Sequence, residues 1–452
     1  MDSLDKTEGQ ATAPGADAAA PLRPEGARGG AGACAPGEAL EPLADGGVTA
    51  ARGFSAAGVH AGFREDPRRL DLALVVADEP CATAGVFTQN VFCAAPVALC
   101  RERLDGAGHG TARAVVVNSG NANAATGEPG MRAARETADI VAEAVGCPAE
   151  EVLVASTGVI GVQLDLEPFR TGVPAALAAA SPAGGLAAAR AIMTTDTHPK
   201  QAAVRFSGDG IGYEGCTFTV GGMSKGSGMI MPNMATMICV ITTDAPVADA
   251  PLHEALAAAV GKSFNKITVD SDTSTNDSCI ALASGAAAPA GAPRFAPGSP
   301  AFARFEAALA AVCEDLARQM AADGEGASRL VTVRLSGAAD EADADLAARA
   351  VANSPLVKTA VAGRDANWGR VAAALGKSGA VFRQQDVDID IMGIPVCRGG
   401  LALDFDEDEA LRRFEAPEVV IDVDLGAGTA ATTIWTCDFT HDYISINGDY
   451  RS

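Results

Sequence analysis

Residues 221–244 read GGMSKGSGMIMPNMATMICVITTD. Two textures meet in this stretch. Glycines at 221, 222, 226 and 228 surround a single cation, Lys225, and make a flexible approach. From Ala235-Thr236 onward the run TMICVITTD is β-branched and apolar, which predicts a buried strand with Thr236 at its mouth. Read on its residue type alone, Thr236 is a strand-opening threonine, the glycines are loop and Lys225 is a solvated charge.

Working outward, strand-length apolar runs recur at 70–76, 112–119, 151–156, 216–222, 278–284, 329–335, 386–392, 418–425 and 432–439. Between them, Ala-rich stretches with helical spacing lie at 131–146, 174–193, 251–262, 301–322, 342–353 and 367–376. VDIDIM (387–392) and VVIDVDL (419–425) alternate apolar and acidic residues, so one face of their sheet is covered and the other is polar. Strands and helices mix without a strict βαβ rhythm, which predicts a layered α+β architecture rather than a doubly wound sheet. Residues 286–300, rich in Pro, Ala and Gly, read as a surface loop.

The chain has 452 residues, enough for a sizeable core, and carries a formal net charge of −23, which argues against a general nucleic-acid surface. Residues 1–47 lack aromatics, Val (before 48) and Ile, hold eight acids against three bases, and read as a disordered acidic extension. The eleven cysteines are dispersed with no C-x-x-C, and none of the five histidines sits in H-x-x-x-H spacing, so zinc and redox-pair readings fail. Cysteines inside apolar runs, such as Cys239 and Cys279, read as small core residues of a reducing compartment. Without a membrane-length apolar run or a secretory start, the expected location is the cytoplasm.

Two phosphate-binding readings fail on geometry. Gly261-Lys262-Ser263 and Gly376-Lys377-Ser378 lack the glycine five residues upstream that a P-loop needs, with Leu256 and Val371 there instead. Gly426-Ala427-Gly428-Thr429-Ala430-Ala431 follows a strand, but TTIWTCDF after it is strand-like. No helix N-terminus would meet a pyrophosphate, and a hairpin turn is predicted.

The 221–244 block resembles the cleavage region of the ornithine acetyltransferase family, the bifunctional enzymes of arginine biosynthesis. Further family signatures follow in order: GVTAARGFSAAGVHAGF (47–63), ADEPCATAGVFTQN (77–90), NSGNANAATG (118–127), AIMTTDTHPKQ (191–201), SFNKITVDSDTSTNDS (263–278), DGEGASRL (323–330), GRDANWGR (363–370) and CDFTHDYISINGDYRS (437–452). The likeness covers roughly 47–452.

It implies an α/β/β/α sandwich of the N-terminal-nucleophile-like type with a smaller C-terminal α/β part. It also implies self-cleavage between Ala235 and Thr236 into chains spanning 48–235 (after the extension) and 236–452. The freed α-amine of Thr236 would then serve as base for its own hydroxyl, a role that needs no histidine. Thr157 and Gly158 match the family's oxyanion-hole pair. Lys225, Thr194, Glu325, Asn447 and the terminal Ser452 match substrate contacts, with Lys225 suited to a carboxylate and Glu325 to an ammonium. Ser stands where the family usually ends in Thr, I-N-G replaces I-N-A, and Lys266 stands where Arg is frequent.

The implied reaction is ping-pong acetyl transfer from N-acetylornithine to glutamate, in an assembly of two α and two β chains. It calls for no metal and no cofactor, and acetyl-CoA remains open as a second donor. An autoprocessed aminopeptidase-like hydrolase and an uncleaved binding homologue are the alternatives. The acid-and-hydroxyl cluster 270–278 either lines the site or caps a strand, and Trp368 reads as a packing residue.

Overall fold

The computed structural model describes residues 40–231 and 237–449. Two packages of sheet and helix follow one another along the chain. The first contains strands β1 (Glu41–Pro42), β2 (Phe54–Val59), β3 (Leu72–Phe87), β4 (His109–Asn121), β5 (Val152–Val159), β6 (Lys200–Ser207), β7 (Thr217–Lys225), β8 (Ile238–Thr243) and β9 (Ser278–Ala283). Its helices are α1 (Ala95–Arg103), α2 (Gly127–Val145), α3 (Glu167–Ala179), α4 (Gly185–Ala191), α5 (Asp249–Lys262) and α6 (Pro300–Ala322).

These strands form one sheet in the order β1-β6-β7-β8-β9-β3-β4-β5, with β2 also on β3. The sheet doubles back through β3. Residues 72–77 of that strand pair with β2, its last six residues pair with β9, and its register against β4 shifts between Val76 and Cys81. The exposed Asp78-Glu79-Pro80 sits at this irregularity, where a proline without an N–H costs no ladder bond.

Alternation along the strands then builds three cores. Val115, Val117, Leu153 and Ala155 meet Met223, Ile238, Val240, Ile280 and Leu282 between the two leaves. On the outside, α2 and α3 cover Leu74, Val116 and Val154, while α5 and α6 cover Phe218, Val220, Ile241 and Ala281. The result is the expected α/β/β/α sandwich. Helix α6 shows why local sequence suffices for its part. Ser299 caps it by accepting from the Phe302 N–H at 3.2 Å, a bond worth about 1 kcal/mol, and residues 305, 308, 309, 312, 313, 316, 317 and 320 bury one stripe.

The second package is a six-stranded sheet, β13-β12-β11-β14-β10-β15, made of β10 (Leu330–Ala338), β11 (Asp388–Ile391), β12 (Ile394–Arg398), β13 (Leu401–Ala402), β14 (Glu418–Asp424) and β15 (Ala430–Cys437). Helices α7 (Glu341–Ala352), α8 (Pro355–Ala362) and α9 (Trp368–Gly376) cover its apolar face, and Trp368 packs against that core. Two short helices complete the chain, α10 (Glu407–Arg413) and α11 (His441–Asp449). Leu330, Trp435 and Cys437 belong to the core of the first package and seal the two together.

Three expectations are corrected. The 174–193 helix is two helices, α3 and α4, separated around Ser181-Pro182, where Ser181 exchanges backbone bonds with Ala56 instead. Gly426 does not turn a hairpin: β14 and β15 lie on opposite sides of β10, parallel and antiparallel to it, so the glycine loop carries the chain across the end of β10. Within the expected extension 1–47, residues 41 and 42 form a strand. Glu41 and Pro42 pair with Arg205 and Val204, and the Leu43 N–H donates to the Ala203 carbonyl at 2.9 Å, because Leu40 finds the α6-side core to pack on. Residues 1–39 lie outside the described residues. Among the described residues, no helix is long and apolar enough to cross a membrane.

Candidate active site

The two leaves end together on one side of the sandwich. Thr157 lies near the end of β5 and Lys225 closes β7, and strand parity turns both inward, two residues beyond Ala155 and Met223 of the interleaf core. The Lys225 ammonium, 3% exposed, reaches the Thr157 hydroxyl at 3.5 Å. Among the described residues, no carboxylate forms an ion pair with it. Burial pulls the Lys225 ammonium below the ordinary lysine value, with Asp196 working the other way and Lys200 adding to the depression. A buried cation in that state is poised to accept an anionic group.

Gly158 follows Thr157 with φ of +132°, opposite Gly120 with φ of +131°. A Cβ on Gly158 would stand 2.3 Å from the Gly120 carbonyl carbon, so only glycine allows the strands to close here. Asn276 locks the same corner. Its side-chain amide donates to the Ala122 carbonyl at 2.6 Å and to the Ser156 carbonyl at 2.8 Å.

Ala235 and Thr236 lie outside the described residues, as does Ser452, but the chain on both sides of 232–236 is held. Asp270 accepts from the Met229 N–H at 2.5 Å and the Ile230 N–H at 2.9 Å, and Asp277 accepts from the Met237 N–H at 2.9 Å. Asp277 is fully buried. Burial drives its carboxyl well above the usual range, with the Met237 bond and the Lys225 charge opposing. Its second oxygen has no hydrogen-bond partner among the described residues. Burial likewise pushes Asp270 up to about 6.

The opposite wall comes from α6 and α11. Helix α6 ends at Ala322, and Asp323-Gly324 lead into Glu325, which is 8% exposed. Asn447 on α11 donates to the Glu325 carboxylate at 2.8 Å. Ser227 accepts the Glu325 N–H on its carbonyl at 2.8 Å and gives its own hydroxyl to the Asp323 carbonyl at 2.7 Å. A Cβ on Gly228 would come within 2.4 Å of the Glu325 carboxyl, so the glycine lets this acid lie against the loop after Lys225. Thr194, half-buried, gives its N–H to Asp196 at 2.9 Å, and the other oxygen of Asp196 accepts the Gly226 N–H at 2.7 Å.

Of the residues singled out in the sequence, Thr157, Gly158, Thr194, Lys225, Glu325 and Asn447 thus converge on one cleft, although they come from five separate segments. Asp270, Asn276 and Asp277 received no role from sequence reasoning. Their one signal was the density of acids and hydroxyls directly before an apolar strand. In the structure these side chains bind backbone groups on either side of 232–236 and at the end of β5. A separate cavity of about 620 Å³ on the open face of the second sheet is lined by Arg334, Asp388, Asp390, Arg398 and Asp422 and contains none of these residues.

Comparison with known proteins identifies the family. The ArgJ family model matches residues 55–452. The arginine biosynthesis bifunctional protein ArgJ of Symbiobacterium thermophilum is 53% identical over 408 residues, covering 90% of this chain and 99% of that one. Its counterpart from Thermosynechococcus vestitus is 48% identical over 422 residues, covering 90% and 98%. A crystal structure of ornithine acetyltransferase complexed with ornithine from Mycobacterium tuberculosis is 41% identical. It covers 44% of this chain and all of that one, with a TM-score of 0.39. The protein is an enzyme of the acyltransferase class. Within that class, the chain belongs to the ArgJ family.

Proposed function

We propose that this chain cleaves itself before Thr236 and then carries an acetyl group on that threonine, from N-acetylornithine to glutamate. The observation that carries the reading is the cleft itself. A threonine–glycine pair at the end of β5 and a buried ammonium face each other at 3.5 Å beside Met237, the residue after Thr236, whose amide is pinned by Asp277.

The chemistry runs through groups of the chain alone. The Thr236 hydroxyl attacks the acetyl carbonyl and gives its proton to the Thr236 α-amine. The oxyanion is met by the Thr157 hydroxyl and the Gly158 N–H, and such donors are worth about 3–4 kcal/mol each in acyl transfer. The α-amine passes the proton to the departing ornithine nitrogen, leaving an acetyl ester. The glutamate amine then attacks that ester, and Thr236 recovers its proton as N-acetylglutamate leaves. Lys225 suits the α-carboxylate of either amino acid, and Glu325, held by Asn447, suits the side-chain ammonium of ornithine; Thr194 and Ser452 complete the contacts. No cofactor enters these steps, and acetyl-CoA would serve as a second donor by acylating the same hydroxyl. Two chains of each kind would assemble in the cytoplasm.

Denaturing electrophoresis tests the first step. The expected result is two fragments, residues 1–235 and 236–452, the second beginning at Thr236 by N-terminal sequencing, and one intact band for Thr236→Ala. An intact wild-type chain would refute self-cleavage. Ornithine release from N-acetylornithine in the presence of glutamate tests the second. Peptide hydrolysis without that release would place the enzyme among the hydrolases.

A further inference from the structure

Lys200 lies beneath the cleft with its side chain fully buried. Its ammonium donates to Asp196 at 2.6 Å and to Asp323 at 2.5 Å. Neither aspartate spends its remaining capacity on the core. Asp196 holds the N–H of Thr194 and the N–H of Gly226, the residue after Lys225. Asp323 holds the N–H and hydroxyl of Thr197, and its own carbonyl takes the Ser227 hydroxyl, one step from the bond between Ser227 and Glu325. Three segments far apart in sequence, carrying Thr194, Lys225 and Glu325, therefore meet on one lysine.

A buried ion cluster of this kind is weak evidence for stability. Its desolvation cost offsets most of its attraction, and apolar replacements of similar volume are often neutral or better. Its geometric consequence is firmer. Charge-assisted bonds are short and directional, so a lysine between two carboxylates fixes the separation of whatever those carboxylates hold. Burial works against the Lys200 charge, but Asp196 and Asp323 outweigh it and keep the ammonium protonated, while both carboxyls sit below the usual range.

We infer that Lys200, Asp196 and Asp323 form a positioning triad that sets the distance between the cationic and anionic jaws of the cleft, Lys225 and Glu325, and so selects a substrate carrying both a carboxylate and an ammonium. The inference rests on the acetyl-transfer reading above. The triad touches no reacting atom. It acts through Thr194, Gly226 and Ser227, and a displacement of about 1 Å there is enough to cost on the order of a hundredfold in productive binding.

The test uses the full-length enzyme and two donors. N-Acetylornithine needs both jaws, whereas p-nitrophenyl acetate, a neutral ester, needs only the nucleophile and its oxyanion donors. In Lys200→Met the KM for N-acetylornithine should rise at least about tenfold with a smaller change in kcat, while acylation by the ester falls no more than about threefold. Loss of both activities in proportion, or unchanged KM values, would overturn the inference. Because Lys200→Met strands two buried carboxylates, Asp323→Asn and Ser227→Ala provide gentler variants. Each should raise KM in the same donor-selective way, Asp323→Asn more than Ser227→Ala, and equal effects on both donors in these variants would again overturn it. If the wild-type enzyme neither transfers acetyl groups nor is acylated by the ester, the nucleophile assignment fails instead of the triad.

Discussion

Replacing Lys225 by Met should make a more stable but crippled enzyme. In the free protein the ammonium is 3% exposed, it donates to the Thr157 hydroxyl at 3.5 Å, and no ion pair offsets its burial among the described residues. Asp196 keeps Lys200 and the Gly226 N–H when Lys225 is removed, so the substitution orphans no carboxylate. Exchange of a buried charge for a packed apolar chain of similar length should stabilise by about 1 kcal/mol or more, raising Tm by about 1 °C or more for a chain of this length. Against substrate the sign reverses. Truncating one member of a buried charge pair costs about 2–5 kcal/mol, which is roughly thirty- to several-thousand-fold in kcat/KM.

The pH dependence adds a second signature. The unfolded lysine titrates near 10.5 and the folded one below it. Between those values the unfolded chain holds more protons, so wild-type stability climbs as pH rises through that window. Lys225→Met should lose this climb. Thermal unfolding at neutral and alkaline pH, with kcat/KM for N-acetylornithine, measures all three quantities. A lower Tm together with unimpaired kcat/KM would refute the reading of Lys225 as an unpaired cation awaiting a carboxylate.

Other expectations follow from the same geometry. Gly158→Ala forces a Cβ to 2.3 Å from the Gly120 backbone at φ of +132°, and should cost at least about 3 kcal/mol, seen as loss of soluble protein or a large drop in Tm. Asn447→Ala removes one donor from Glu325 and should raise the KM for N-acetylornithine a few-fold, in line with about 1 kcal/mol for one hydrogen bond, with little change in Tm since Asn447 is exposed. Asp270 titrates near 6 when folded and near 3.8 otherwise, so the folded chain holds the extra proton between those values and stability should fall as pH rises from 4 to 6. Urea midpoints across that range should be flatter for Asp270→Asn.

Much of the fold could be read from periodicity, because the interactions that decide it are local or repeat at fixed spacing. The alternation in 387–392 and 419–425 correctly forecast a sheet with one polar face, now seen with Asp388, Asp390 and Asp422 on the open side. Strand partners were another matter. The Gly426 loop looked like a hairpin because turn chemistry reports local bending, not which strand waits beyond it. Strand β6 went unrecognised, as KQAAVRFS has few β-branched residues and owes its place to β1 and β7 on either side. In the cleft, Thr157, Lys225 and Glu325 were reached by likeness to a family. No single-sequence pattern marks Asp196, Lys200 and Asp323 as a unit, since their bond runs from a loop after α4 to the end of α6.

Strand β8 is bonded to β7 on one side and to β9 on the other. The stretch 232–236 joins β7 to β8, so a break within it cuts the chain between two neighbours in the middle of a sheet rather than between two domains. The severed pieces would remain woven through a shared ladder and a shared interleaf core, and neither could leave without exposing both. Nicking here is therefore a covalent event with almost no mechanical consequence: it alters what the chain end can do while the architecture stays as it was.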